Sequence, residues 1–200
     1  KDAAAGGDAL GDAGVETVRY WLYAPGEGAA MWDEFYEHGI MGLGWDEMGN
    51  LTNYGSKEEI RVELQEAHGN WTSEKNGAHA LWQFSREVKP GDVVFAKKGR
   101  STILGRGVVT GDYEYDQDAG EYPHLRDVGW TNKGAWIMDG MFATKTLTDV
   151  TDYTELVAKI NSFFESEEEE EIAIELTGSL VPYSKEDFLA EVYMNEGQYD

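Results

Sequence analysis

Two apolar runs, Asp92–Ala96 and Ser101–Thr110, stand on either side of Lys97-Lys98-Gly99-Arg100. Their side chains follow a period of two, and Pro90-Gly91 precedes them. Period two places successive side chains on opposite faces of a strand, so the stretch reads as a β-hairpin with a basic tip. Its charge is unexpected. Lys97, Lys98, Arg100 and Arg106 fall within ten positions of a chain that has 16 Lys and Arg against 39 Asp and Glu, a formal net charge of −23.

Around the hairpin the signals alternate between helix and strand. Arg19–Ala24 is a short aromatic run ended by Pro25-Gly26 and reads as a buried strand and a turn. Gly28–His38 carries Met31, Trp32, Phe35 and Tyr36 at helical spacing, with Gly39 as C-cap. Ile40–Trp45 predicts a second short strand whose glycines suit a close backbone approach. Ser56–His68 predicts a helix opened by a capping box, Ser56 with Glu59. Asn76–Val88 predicts another, stopped at Pro90-Gly91. A polar, Tyr-rich segment follows the hairpin. Val128–Met138 predicts a strand or two, Thr146–Phe164 a strand end and then a helix, and Ser184 starts a last helix. This mixed order with antiparallel strands predicts an α+β fold, a small curved sheet or open barrel flanked by helices.

Several function classes are excluded or unsupported. The absence of Cys removes disulfides, thiolate metal sites and Cys nucleophiles, and fits a reducing compartment; a cytoplasmic location is the expectation. No apolar run approaches the length of a membrane-spanning helix. No Walker A, G-x-S-x-G or H-E-x-x-H occurs. Asp112, Asp116 and Asp118 lack the Gly and Glu that a calcium loop needs. His68 and His79 flank one inter-helix turn and could pair in space, although helix-end histidines are the commoner case. The acidity argues against histone-like binding of nucleic acid, yet it is uneven: from Glu165 to Asp200 there are twelve acids and one base. A local basic site remains compatible with it.

A binding site is the better-supported reading. Lys97, Lys98 and Arg100 are placed where phosphates sit, and Gly99, Gly105 and Gly107 let a backbone come close. Trp45 follows two glycines at a strand end, and Tyr113, Tyr115 and Tyr122 lie in the polar segment. A basic rim beside aromatic plates is how proteins hold a strand and stack a base. A surface turn that merely balances acidic neighbours, with the tryptophans in the core, is the reading that composition alone favours.

The order of motifs tips this balance. Tyr20-Trp21-Leu22 with Pro25 resembles the opening strand of the EVE domain, of the PUA/ASCH/YTH-like group. Lys89-Pro90-Gly91-Asp92-Val93-Val94-Phe95 and Ile103-Leu104-Gly105-Arg106-Gly107-Val108-Val109 resemble its central signature. Several stretches, together with the terminal YSKEDFLAEVYMNEGQYD, are similar to the N-terminal region of McrB-like proteins of modification-dependent restriction systems. The resemblance spans roughly residues 19–200.

It implies a small antiparallel PUA/EVE-like pseudo-barrel wrapped by helices over 19–165, after a flexible lead-in (1–18). An acidic linker and the start of a helix (166–200) would precede an AAA+ domain outside this fragment. It implies a non-catalytic reader of a flipped, modified DNA base, a methylated one first, serving a restriction GTPase or ATPase. The nucleotide and Mg would belong to the missing domain, with no cofactor here. The partners would be modified duplex DNA and, for the whole protein, a ring oligomer with a separate nuclease subunit. An RNA-binding or protein-interaction module is the alternative. Carried over by position, the base pocket would draw on Trp45, the leading candidate, with Trp21, Tyr23, Tyr113 and Tyr115. Phosphates would meet Lys97, Lys98, Arg100 and Arg106. For Trp21 core packing is an equal alternative, and Trp32 and Trp82 read as core.

Overall fold

The computed structural model describes residues 17–68 and 74–165. The lead-in up to residue 16, the acidic linker and the terminal helix lie outside the described residues. The chain divides between Val157 and Ala158 into two units. Residues 154–165 are helical, and 158–165 are what is described of the second unit. All that follows concerns the first.

Seven strands form one curled sheet: β1 (Tyr20–Tyr23), β2 (Ile40–Leu43), β3 (Val93–Lys98), β4 (Thr102–Val109), β5 (Glu114–Tyr115), β6 (His124–Ile137) and β7 (Leu147–Asp149). The order is β2-β6-β4-β3-β1-β7, with β5 also on β6. Only the β1–β3 pair is parallel. Helices α1 (Trp32–His38), α2 (Lys57–His68) and α3 (Glu74–Trp82) flank it. The α+β class and the curved sheet are as expected from the alternating signals.

The core forms where apolar faces of sheet and helices meet. Ile60 and Leu64, four apart on α2, are fully buried with Leu81 of α3 and with Met41, Leu43 and Val94 of the sheet. The capping box is present: Ser56 Oγ accepts from the Glu59 N–H at 3.2 Å, and Glu59 accepts from the Gly55 N–H at 2.9 Å.

Four boundaries differ from the sequence expectation, each for a local reason. Helix α1 starts at Trp32 rather than Gly28, because Gly28 and Ala29 take positive φ, 60° and 62°, which no α-helix accommodates. Strand β2 stops at Leu43, and Trp45 opens a 3₁₀ turn instead of ending the strand. The helix predicted to end near Val88 finishes in a π-turn, Gln83–Glu87. The Val88 N–H there donates to Gln83 O, which leaves Phe84 O to accept from buried Arg126 Nε at 2.7 Å. Burial lowers the Arg126 pKa to about 10. Finally, Lys97 and Lys98 belong to β3, so the turn itself begins at Gly99, whose φ is 60°.

The glycines of Gly105-Arg106-Gly107 serve packing. A Cβ on Gly105 would lie 2.5 Å from Asn132 O and 2.6 Å from Trp32 Cζ2, and one on Gly107 2.7 Å from Trp130 Cε3. The two indoles meet edge to face at 4.8 Å over this bare stretch of β4. Gly105→Ala should therefore force the β4–β6 pair apart and cost about 1–3 kcal/mol. The midpoint of urea unfolding measures it; an unshifted midpoint would show that the strands yield freely.

Candidate functional site

A cleft of about 570 Å³ opens beyond the ends of β1 and β2, against β3 and the β3–β4 turn. Ala24 and Gly26 come from the chain after β1, Gly44 and Trp45 from the chain after β2, and Lys97, Gly99 and Arg100 from the hairpin; Tyr122 precedes β6. The glycines at its rim leave room for a ligand to approach the backbone.

Trp45 is half-buried and takes φ 68°, ψ 51°, the left-handed region that a bulky residue avoids. Among the described residues, Ala29 and Trp45 are the two non-glycine residues with positive φ, and both line this cleft. Such strain costs of order 1–3 kcal/mol per residue and persists only where surrounding contacts hold it. For Trp45 those contacts can be traced atom by atom. Its carbonyl accepts a hydrogen bond from His124 Nε2 at 3.1 Å, and Tyr113 Oη lies 2.8 Å from His124 Nδ1. A carbonyl can only accept, so Nε2 carries the proton. A neutral imidazole then offers Nδ1 as acceptor, and Tyr113 Oη–H donates to it. Tyr113 Oη in turn accepts from the Leu51 N–H at 3.2 Å. Burial lowers the His124 pKa and keeps the ring neutral, which this chain requires. On the ring side, Gly77 of α3 admits the indole: a Cβ there would be 3.3 Å from Trp45 Cζ2.

Lys97 is 2% exposed. The β3–β4 register slips between Ala96 and Lys97, with Leu104 the extra residue on β4. Bulges of this kind re-aim side chains, and here Lys97 lines the cleft. Its Nζ donates to Gly99 O at 3.4 Å, and among the described residues no carboxylate lies within ion-pair distance. Burial pushes its pKa down. The acids at the rim are Glu27 and Glu47, and His68 Nε2 donates to the Glu47 carboxylate. Burial raises the Glu47 pKa, but the bond from His68 and the stretch's own hydrogen bonds outweigh it, and the net shift is downward. The cleft thus presents one aromatic plate, a buried cation with unused donors, the exposed Arg100 and the half-buried Tyr122.

The residues expected at the site separate into three groups. Trp45, Lys97 and Arg100 share the cleft. Tyr113 and Tyr115 do not line it. They flank His124, with ring centroids 6.0 and 5.7 Å away, and so sit behind Trp45. Trp21 and Tyr23 are fully buried in the core. The Trp21 indole N–H donates to Asp92 Oδ2 at 2.9 Å, and Tyr23 Oη bridges the Gly42 N–H and C=O at 2.9 and 2.6 Å. Neither presents a ring to a ligand. Lys98 and Arg106 lie on the hairpin outside the cleft. Tyr122 is the cleft aromatic that the base-pocket set left out. Its neighbourhood in the Tyr-rich segment was the only sequence signal for it. His68 lines the cleft and His79 a different cavity, so the two histidines form no pair. No group of metal-ligating side chains occurs among the described residues.

The family model described as "Domain of unknown function (DUF8426)" matches residues 21–154. No curated protein matches. Among solved structures, the chain is similar to the crystal structure of the MmI1 YTH domain: 10% identity, TM-score 0.40, covering 74% of this chain and 98% of that one. A second Mmi1 YTH domain gives 10%, 0.37, 74% and 78%. The YTH domain of Zygosaccharomyces rouxii MRB1 protein, in complex with N6-methyladenosine RNA, gives 12%, 0.31, 61% and 63%.

Proposed function

The chain belongs to the family described as Domain of unknown function (DUF8426), and from its site we propose that it is a nucleic-acid reader that takes a single flipped, modified base into the Trp45 cleft. The observation that carries this reading is the strained Trp45, held by His124 and Tyr113 opposite a buried, carboxylate-free Lys97. A nucleotide offers the two features this pair complements, a flat π-face for the indole and oxygen acceptors for the ammonium. The cleft is also of the size that small-molecule sites usually have. The reaction the site supports is binding: Trp45 stacks, Lys97 and Arg100 hold acceptor and phosphate oxygens, and Tyr122 closes one wall.

The finer assignment rests on the sequence resemblance. Modified duplex DNA is the proposed ligand, and the domain is the specificity module of a modification-dependent restriction GTPase or ATPase. The nucleotide with Mg, the ring and the nuclease subunit belong to the rest of that system. A net charge of −23 opposes tight binding by one copy, so retention would come from several copies on one duplex.

A binding screen tests both levels. The 200-residue chain, fused to an oligomerising tag, is titrated with duplexes carrying methyladenine, methylcytosine or no modification, and with single-stranded RNA bearing the same bases. One modified duplex should bind best, and raising salt should weaken all of them. Trp45→Ala should erase the preference, a loss of about 1–3 kcal/mol for one base–aromatic stack, or roughly 5- to 150-fold. Tighter binding of the RNA would overturn the DNA assignment. Equal binding of modified and plain strands would overturn the reader.

A further inference from the structure

A second cavity, also about 570 Å³, lies between the first turns of α2 and the middle of α3. Lys57, Arg61 and Lys145 line it with His79; Glu58 is its one carboxylate, and that group is engaged by the Arg61 guanidinium. A chain with 39 acids and 16 bases has gathered three permanent cations around one hollow. Two of them act on the His79 ring. Burial lowers the His79 pKa, Lys57 and Lys145 lower it further, and Glu87 partly opposes them. His79 Nδ1 is buried and has no hydrogen-bond partner. The N-terminal end of α2 adds its partial positive charge at Lys57.

Cations held together without matching acids, beside an orphaned ring nitrogen, are what an oxyanion site looks like before the anion arrives. We infer that this cavity binds a phosphate group. Lys57 and Lys145 supply charge, Arg61 supplies the N–H groups that Glu58 leaves over, and the His79 ring adds positive charge to the wall once protonated. The site stands on its own residues and not on the base-reading function. His68, at the far end of α2, lines the Trp45 cleft, so the two sites are about one 12-residue helix apart, roughly 16 Å. The phosphate could be that of a nucleic-acid backbone or a free one; the chemistry is shared, and the experiment separates the sources.

The 200-residue chain is titrated at low ionic strength with inorganic phosphate, and the His79 ring is followed by NMR. Saturable binding that raises the His79 pKa is expected. Sulfate, which keeps its double charge throughout, should bind more tightly as the pH falls through the His79 titration; the other charged groups around the ring are Lys57, Arg61, Lys145, Glu58 and Glu87. Lys57→Ala with Lys145→Ala, both exposed side chains, should weaken phosphate at least tenfold, whereas Lys89→Ala, an exposed lysine elsewhere, should change it less than twofold. Competition by a short unmodified oligonucleotide would assign the phosphate to a nucleic-acid backbone. Its absence, with phosphate still bound, would assign a free phosphate. The inference is overturned if phosphate does not saturate, if the His79 pKa stays put, or if the double variant binds like the parent.

Discussion

Asp92→Ala should destabilise the protein by about 3–5 kcal/mol, as much as truncating a large core side chain. The side chain is 5% exposed and its carboxylate collects three N–H groups. Oδ1 accepts from the Arg19 N–H at 3.0 Å; Oδ2 accepts from the Lys89 N–H at 3.0 Å and from the Trp21 indole at 2.9 Å. One residue thereby closes the Pro90-Gly91 turn, fixes the approach to β1 and satisfies the largest buried ring in the core. A bond to a charged group is worth about 1.5–3 kcal/mol, and the three are not additive because they share one carboxylate. Alanine would leave three donors without their acceptor, the Trp21 indole N–H buried and the two backbone N–H groups partly so. Asp92→Asn, which keeps a single acceptor oxygen, should fall between. Urea unfolding followed by tryptophan fluorescence and by circular dichroism measures both variants. A loss under about 1 kcal/mol for alanine would mean that water replaces the carboxylate at no cost, and that the Pro-Gly-Asp element has another purpose.

The Asp92 cluster also shows which parts of the structure the chain's local pattern could announce. The hairpin, the capping box at Ser56 and the α+β order depend on neighbours within a few residues, and each is where the pattern places it. Trp45, Lys97 and Arg100 line one cleft because each sits at the end of such an element. Where the other aromatic rings sit is decided by long-range contacts. A run such as Tyr20-Trp21-Leu22-Tyr23 has the same pattern whether one face or both are covered. Here both faces of β1 are covered: Trp21 and Tyr23 on one face and Leu22 on the other are all buried, Trp21 reaches Asp92 and Tyr23 reaches Gly42, and both rings vanish into the core. The link from His124 to Trp45 spans 79 positions, so nothing near Tyr113 or Tyr115 could show that these rings brace a histidine rather than face a ligand. The bulge that turns Lys97 inward depends on the register against β4, which neither strand encodes alone.

Lys97→Met separates function from stability, because the two should move in opposite directions. In the native state an ammonium 2% exposed has one long hydrogen bond, to Gly99 O at 3.4 Å, and burial alone depresses its pKa. Such a group is poorly compensated, and a thioether side chain of similar length fills its place without desolvating a charge. Replacing uncompensated buried charge by apolar volume is often stabilising, here by about 1–2 kcal/mol. Binding should respond the other way. The unused N–H donors of Lys97 are the ones a ligand oxygen in the cleft would take, so their loss should cost about 1.5–3 kcal/mol, roughly ten- to a hundredfold in affinity. Since an ammonium does not distinguish a methylated from a plain base, both ligands should weaken about equally, unlike the selective loss at Trp45→Ala. Denaturation midpoints and titrations on the same preparation decide the matter. A variant less stable than the parent, binding as before, would make Lys97 a structural residue and leave Arg100 as the cation that faces a ligand in the cleft. A variant more stable and weaker-binding would mean that the fold accepts an instability at Lys97 because a ligand removes it.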